Sequence, residues 1–172
     1  MKKILAFIFA LACCGIATAQ VDSTIDYTPS GVTFRLGLGI PLEGDLLDDS
    51  PLAFSFGFDY ELDFQLFGPG DTYLAFDWIA AEEGIYGLSL NKRTYTGTGN
   101  LFGRDASTYI FFGVGGVAYD SLDFDEMAIV ARGGIGYSMV NNTVFEFGGW
   151  VGGDSRGVNI TSLYASFGWR FP

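Results

Sequence analysis

The sequence contains no histidine and only two cysteines among its 172 residues. Histidine is the side chain that most readily exchanges a proton near neutral pH, so its absence excludes Ser-His-Asp and Cys-His catalytic arrangements and any histidine-ligated metal. Lysine and arginine are also few, 9 against 20 aspartates and glutamates, and the net charge of −11 is unfavourable for binding nucleic acid. We therefore predict a non-enzymatic protein with no cofactor, no bound metal and no nucleic-acid partner.

The N-terminal segment has the composition of a secretory signal peptide. Two lysines follow Met1, an apolar run covers residues 4–14, and an Ala-Thr-Ala sequence ends at Ala19. A positively charged end, a short apolar run and small residues before the cleaved bond are the features of an exported chain. We predict a signal peptide over residues 1–19, cleaved after Ala19, and a periplasmic lead-in over residues 20–30.

Two other interpretations of this segment stay open. A membrane anchor needs about 20 apolar residues to cross a bilayer as a helix, and the run over residues 4–14 is shorter than that. A lipoprotein would use Cys13 as its lipid-attachment site, but Ala10 then stands where a large aliphatic residue is usual. Both Cys13 and Cys14 lie within the predicted signal peptide, so the mature chain forms no disulfide.

Apolar residues alternate with small or polar ones through most of the remaining chain. From Leu52 to Leu66 every even position is apolar and every odd position is small or polar, and the same period runs from Val32 to Ile40. A period of two over such lengths indicates β-strands. Six further strands are predicted at residues 72–81, 85–95, 107–119, 127–139, 143–152 and 158–171. The sequence thus predicts one all-β domain of eight strands over residues 31–172.

The two faces of these strands differ in size. The polar phase consists mainly of Gly, Ser and Ala, whereas the other phase carries large aromatic side chains. A water-soluble barrel would place long polar side chains on its outside, and these are scarce. Small residues inside and large apolar residues outside suit a narrow barrel surrounded by lipid. We therefore predict an eight-stranded antiparallel up-and-down (meander) transmembrane β-barrel.

The last predicted strand ends in alternating aromatic residues. Phe167, Trp169 and Phe171 occupy alternate positions of the run that begins at Leu163. This ending resembles the C-terminal assembly signal of the small bacterial outer-membrane barrels of the OmpA transmembrane-domain and OmpX type, and the resemblance covers residues 31–171. It implies an outer-membrane location, recognition by the outer-membrane assembly machinery, and outer-membrane lipid and lipopolysaccharide as partners.

The resemblance also implies an orientation. Both termini would be periplasmic, and the connections near residues 41–51, 82–84, 120–126 and 152–157 would face outside the cell. The segment 96–106 would then be a long periplasmic connection, where short turns are the rule. Either the two ends of the barrel are swapped, or the fourth and fifth strands extend further than predicted.

The candidate functional residues are the charged residues that alternation predicts to point into the barrel. A lone buried charge is costly, and the planar guanidinium of arginine forms paired hydrogen bonds with carboxylates, so we expect an ion-pair network. A gated narrow pore or a proton-coupled site is the functional alternative, although eight strands leave little room for water. A further alternative places Asp59, Glu61 and Asp63 unpaired near the barrel mouth. The predicted inward residues are Arg35, Asp59, Glu61, Asp63, Asp77, Arg132, Glu146 and Arg170.

These observations predict a non-enzymatic outer-membrane β-barrel with a structural, surface-interaction or adhesive role. The acidic segments 43–49 and 120–126 are expected to be solvated loops, whose partner the sequence does not identify. The alternatives are a narrow channel or transport role, and a secreted soluble barrel that binds an apolar ligand. A lipid-modifying enzyme on a barrel scaffold is the enzymatic alternative, but a hydrolytic version would lack the histidine that serves as its base.

Overall fold

The computed structural model describes residues 31–42, 52–80, 84–101, 104–120 and 126–171. The predicted signal peptide over residues 1–19, the lead-in over residues 20–30, Cys13, and most of the two acidic segments lie outside the described residues. Within the described ranges, no helix is long and apolar enough to cross a membrane.

Eight long strands and one short hairpin form the described chain, as the alternating sequence pattern predicts. The long strands are β1 Val32–Pro41, β2 Ala53–Leu62, β3 Asp71–Ala80, β4 Ile85–Leu101, β5 Arg104–Tyr119, β6 Ala128–Met139, β7 Thr143–Val151 and β10 Ser162–Phe171. The short hairpin consists of β8 Asp154–Ser155 and β9 Val158–Asn159.

The eight long strands form one closed antiparallel barrel. Each pairs with the next long strand along the chain, and β1 pairs with β10, so that the order around the barrel is β1-β10-β7-β6-β5-β4-β3-β2. The closing register sets Val32 opposite Phe171 and Pro41 opposite Ser162. Because the first strand pairs with the last, the part of the described wall in which all eight strands are paired has no free edge. The prediction of an eight-stranded antiparallel meander barrel is confirmed.

The barrel has two ends, which we name for their connections. The turn end holds Val32 and Phe171, together with the β2–β3 turn over residues 63–70. The loop end holds Pro41 and Ser162, where the chain leaves β1 and enters β10. Both chain termini of the barrel therefore lie at the turn end.

At the turn end, β4 extends beyond its last pair with β3, and β5 extends beyond its last pair with β6; we call this β4–β5 extension the ribbon. These strands have 17 and 16 residues, and their pairing extends to Leu101 and Arg104. A register shift between Tyr95 and Gly97 marks a β-bulge, a feature that bends a strand. Of the two explanations for the long segment 96–106, the structure therefore shows that the strands extend further.

The predicted second strand was too long at its C-terminal end. β2 ends at Leu62, although the alternation continues to Leu66. The amide of Leu66 donates a hydrogen bond of 2.9 Å to Thr72 Oγ1 on β3, which places this part of the chain in the turn instead of the sheet ladder.

The predicted eighth strand was wrong at its N-terminal end. Residues 158 and 159 belong to the β8–β9 hairpin, and the barrel strand begins at Ser162. Asn159 Oδ1 accepts a hydrogen bond from the amide of Thr161, and Ser162 Oγ donates one to the carbonyl of Ile160. Side-chain bonds to nearby backbone groups compete with sheet pairing, so the chain turns at this point.

Large apolar side chains cover the outside of the barrel on every strand. Their exposed fractions reach 55% for Leu36 and 82% for Ile129. One exposed example from each long strand in turn is Leu36, Phe54, Trp78, Leu88, Val114, Ile129, Phe147 and Trp169. Charged side chains lie on the opposite side of the wall, inside the barrel.

Glycines on the inward phase make room for these larger groups. A Cβ atom at Gly57 would lie 2.6 Å from Cζ of Arg35, and a Cβ atom at Gly87 would lie 2.9 Å from the Trp150 ring. Both distances are too short for a real Cβ contact. The small inward phase seen in the sequence is therefore the space into which the long interior side chains extend.

Candidate functional site in the barrel interior

Eight charged side chains meet inside the barrel, and we call them the interior charge cluster. Each is at most 7% exposed, and together they come from seven of the eight long strands. Period-two alternation aims each of them at the barrel axis, where only other strands can supply partners. The members are Arg35, Asp59, Glu61, Asp77, Arg93, Arg132, Glu146 and Arg170.

Arg35 on β1 contacts three carboxylates. Its Nη2 atom lies 2.6 Å from Asp59 Oδ1 and 2.8 Å from Asp77 Oδ1. Its Nη1 atom lies 3.3 Å from Glu146 Oε2. Because these acids lie on β2, β3 and β7, one guanidinium ties together strands from both sides of the barrel.

Arg93 on β4 occupies a similar position closer to the turn end. Its guanidinium nitrogens lie 3.0 Å from Glu61 Oε1 and 3.4 Å from Asp59 Oδ2. Its Cζ atom also lies 4.5 Å from the centre of the Tyr73 ring and 4.9 Å from that of Tyr109. Aromatic faces attract cations, and at a buried guanidinium this attraction adds to the ion pairs.

The remaining two arginines complete the cluster. Arg132 Nε lies 3.1 Å from Asp77 Oδ2, and Arg132 Nη1 donates a 3.1 Å hydrogen bond to the hydroxyl of Tyr73. Arg170 Nη2 lies 3.5 Å from Glu61 Oε1, and its Nη1 atom donates to the hydroxyl of Tyr95 at 3.3 Å. Every carboxylate of the cluster thus lies within 4 Å of at least two arginines.

The structure changes the predicted membership at two positions. Asp63, expected inside, lies beyond the end of β2 and is exposed to solvent. Arg93, which the sequence analysis missed, is fully buried. Alternation places Arg93 on the same face of the predicted fourth strand as Gly87, Ser89 and Asn91. The small and polar character of that face could have identified Arg93 as an inward residue.

This exchange balances the charges of the cluster. Five acids and three arginines were predicted, whereas the structure contains four acids and four arginines. Asp59 and Glu61, for which a solvated position near the mouth was an alternative, are buried and in contact with arginines. A cluster of zero net charge needs no additional ion to be tolerated in a low-dielectric interior.

An apolar plug closes the interior between the charge cluster and the loop end. Trp150 is 1% exposed and Ile160 is fully buried, although Ile160 belongs to no strand. The plug consists of Ala53, Ile79, Ile85, Val117, Ala128, Val130, Trp150 and Ile160. The interior therefore has an ionic layer toward the turn end and an apolar layer toward the loop end.

Residues 152–161 fold across the loop end, and we call this segment the strap. Ser155 Oγ accepts a 3.1 Å hydrogen bond from the amide of Tyr119 and donates one of 2.9 Å to the carbonyl of Glu126. The guanidinium of Arg156 forms ion pairs with Asp120 and Glu126 at the surface. The strap is therefore fixed to both flanks of the β5–β6 connection, with Ile160 held in the plug.

This arrangement is suited to closing the barrel. Each carboxylate of the cluster is engaged by arginines, and side chains fill both interior layers. In the described part of the chain, no group of three or more His, Cys, Asp or Glu residues is placed to hold a metal ion. The acidic segment 120–126, predicted to be a solvated loop, lies mostly outside the described residues.

The aromatic residues predicted as an assembly signal lie on the outer face of β10. The Phe167 and Trp169 rings contact each other edge-on at 4.5 Å, and Phe167 also contacts Phe145 on β7 at 4.8 Å. Trp169 is 44% and Phe171 50% exposed. The three residues therefore form an accessible apolar ridge beside the closing seam of the barrel.

Comparison with known proteins gives one structural match. No protein-family model matches the sequence, and no curated protein sequence matches it. Among solved structures, the chain is similar to the crystal structure of the outer membrane enzyme PagL, with 16% sequence identity and a TM-score of 0.49. The alignment covers 82% of this chain and 98% of that chain.

This comparison corrects the prediction of a non-enzymatic protein. That prediction relied on the absence of histidine and on the barrel class, and the similar structure is that of an outer-membrane enzyme. A barrel of this class therefore does not indicate a non-enzymatic role, since the same architecture hosts different functions. The structural, surface-interaction or adhesive role predicted with it is withdrawn.

Proposed function

We propose that the protein is an integral outer-membrane β-barrel whose interior is closed to solutes. The observation that carries this proposal is the inverted polarity of the wall: large apolar side chains such as Leu36 and Ile129 face outward, while four arginines and four carboxylates are buried inside. In water this arrangement would expose apolar surface and bury charge, both at a cost. In lipid the same arrangement is favourable.

The dimensions of the wall fit a bilayer. β1, β2, β3 and β10 each have 10 residues, and a tilted membrane strand needs about 9–11. Trp78 and Tyr86 stack on the outer face near the loop end, with ring centroids 6.3 Å apart. Tyr60 and Trp169 are exposed near the turn end. Such aromatic residues favour the two membrane–water boundaries.

Two features of the sequence support the same location. A signal peptide over residues 1–19 would deliver the chain across the inner membrane, and the aromatic ending of β10 resembles that of OmpA- and OmpX-type barrels. We include the outer-membrane assembly machinery and lipopolysaccharide as partners in the proposal. Since the interior is closed, any binding or catalysis is confined to the outer wall and the two ends.

Gel mobility and cell fractionation test the membrane part of this proposal. The protein is expected in the outer-membrane fraction, and unheated samples in detergent are expected to migrate differently from boiled ones, because a closed barrel resists detergent until heated. A soluble protein with unchanged mobility would contradict the proposal and return the soluble ligand-binding barrel to consideration.

Planar-bilayer recording tests the closed interior. The reconstituted protein is expected to give no discrete conductance steps, because the charge cluster and the plug fill the lumen. Stable single-channel steps from protein that shows the heat-dependent mobility shift would refute the closed interior while leaving the membrane location intact.

A further inference from the structure

The β2–β3 turn folds against the outer wall of the barrel. Thr72 on β3 and Lys92 on β4 are paired neighbours on the outward phase, yet they are 0% and 3% exposed. Turn residues cover them: Lys92 Nζ donates to the carbonyls of Gly68 at 2.5 Å and Gly70 at 3.0 Å. Together with the Leu66 amide bond to Thr72 Oγ1, these contacts place the turn beside the wall and away from the lumen.

Two aromatic side chains project from this turn. Phe67 is 88% exposed and Phe64 is 50% exposed. Phe67 has a φ of 54°, a left-handed conformation that bulky residues rarely adopt and that costs energy. The flanking hydrogen bonds to Lys92 and Thr72 hold the backbone in this conformation. The turn is therefore built to present an aromatic ring outward instead of packing it.

The surroundings of the two rings are those of a membrane boundary. β2 is just long enough to cross the hydrocarbon, so the turn that follows Leu62 lies where hydrocarbon gives way to headgroups. The exposed side chains of Tyr60 and Leu74 continue the apolar outer wall up to the turn. Two charged residues lie at this level of the wall: the ammonium group of Lys92 is engaged by turn carbonyls, and the exposed Asp63, which precedes Phe64, suits the headgroup side of the boundary.

We propose that the β2–β3 turn is a lipid-contact element, with Phe64 and Phe67 inserted at the boundary between acyl chains and headgroups. This inference rests on the proposed membrane location. Insertion removes the exposed aromatic surface from water, and this gain offsets the strained backbone of Phe67. The occupant of this surface is lipid because the rings lie beside the end of the lipid-facing wall marked by the exposed side chains of Tyr60 and Leu74.

Fluorescence quenching by lipid tests the proposal. The full-length Phe67→Trp variant is reconstituted in phosphatidylcholine vesicles whose acyl chains carry bromine close to the headgroup, and its emission is compared with that of the unchanged protein. The outward-facing Trp78 and Trp169 report on membrane insertion, whereas Trp150 is buried in the plug. Thr98→Trp is the matched control, since it adds a tryptophan on the exposed ribbon six residues beyond Lys92, about 20 Å along the strand.

The tryptophan added at position 67 is expected to lose emission to about the same degree as Trp169, whereas the one added at position 98 keeps its emission. If the position 67 tryptophan stays unquenched while Trp78 and Trp169 are quenched, the turn is not in contact with lipid and the inference fails. If Trp78 and Trp169 are also unquenched, the membrane location itself fails. Should Phe67→Trp not fold, Phe64→Trp provides the same readout.

Discussion

Arg93 on β4 and Glu61 on β2 form an ion pair of 3.0 Å although β3 lies between their strands. The pair therefore spans the inside of the barrel instead of bridging neighbouring strands along the wall. Both side chains are buried, so neither can exchange its partner for water. Under these conditions, the loss of one partner leaves an uncompensated charge in the interior.

Replacing Arg93 by methionine is expected to destabilise the barrel by about 3–5 kcal/mol, because Glu61 and Asp59 lose a buried counter-ion. Urea unfolding from lipid vesicles, followed by tryptophan fluorescence, measures this loss. Arg156→Met is the matched control: its ion pairs are exposed at the surface, and such pairs contribute about 1 kcal/mol or less. Equal unfolding midpoints for the two variants would contradict an interior held by ion pairs.

Tyr109 and Tyr164 are both buried, but their hydroxyl groups differ in hydrogen bonding. The hydroxyl of Tyr109 donates to Glu146 Oε1 at 2.9 Å, whereas the buried hydroxyl of Tyr164 has no hydrogen-bond partner among the described residues. Tyr109→Phe is therefore expected to cost about 1.5–3 kcal/mol, as for a bond to a charged group, and Tyr164→Phe to cost little. The same unfolding experiment compares them, and a reversed order would show that the two rings do not occupy these positions.

Glycine substitutions test how tightly the interior is filled. Gly57→Ala would place its Cβ atom 2.6 Å from Cζ of Arg35, whereas the same change at Gly97 meets no atom of the described residues within 4 Å. We expect Gly57→Ala to reduce stability by about 1–3 kcal/mol, as overpacking does, and Gly97→Ala to stay within about 0.5 kcal/mol of the unchanged protein. If both variants unfolded at the same urea concentration, the cavity around Arg35 would be larger than the structure shows.

Arginine scanning of the outer wall tests the surrounding medium. Leu36→Arg places a charge on the outward face of β1 and is expected to cost about 2–4 kcal/mol in lipid. Thr98→Arg, on the exposed ribbon, serves as the control and should have little effect. Folding efficiency in vesicles, read from heat-dependent gel mobility, reports both. A Leu36→Arg variant that folded as well as the control would show that this face meets water.

Limited proteolysis tests the strap. Ser155→Ala removes the two hydrogen bonds that fix the strap to Tyr119 and Glu126, and should speed trypsin cleavage after Arg156. Ser166→Ala is the same change at a buried hydroxyl that has no hydrogen-bond partner within the described ranges, and it should leave the cleavage rate unchanged. Identical rates for both variants would mean that Ser155 does not hold the strap.

Much of the fold follows from the sequence because alternation is a local signal. The side chains of a strand point to opposite faces in turn, so the run from Leu52 to Leu66 is sufficient to indicate both a strand and its two faces. The ends of strands depend on contacts that alternation does not encode. β2 stops short of Leu66 because Thr72, ten residues after Leu62, accepts a hydrogen bond from the turn.

Strand alternation predicts which residues face the interior of the barrel, but it does not predict which of them contact each other. Arg35 and Asp77 could be assigned to the inward face from their strands alone, whereas the contact between them depends on the register of three strands. Arg93 was missed although its phase was readable, and Asp63 was misassigned because it continues the phase of a strand that has already ended. The plug residue Ile160 shares the inward phase of the predicted eighth strand, but alternation does not reveal that it enters the interior from an irregular segment before β10.

The distribution of the interior charge cluster over seven strands has a consequence for assembly. Arg35 lies on the first strand and Arg170 on the last, so a sheet that is still open carries arginines and carboxylates whose partners have not arrived. Hydrocarbon does not tolerate such groups, and a partly built sheet cannot enter the bilayer one strand at a time. On the proposed membrane location, closure and burial must therefore occur together, and the chain needs a hydrated, protected route until its final strand has joined the first.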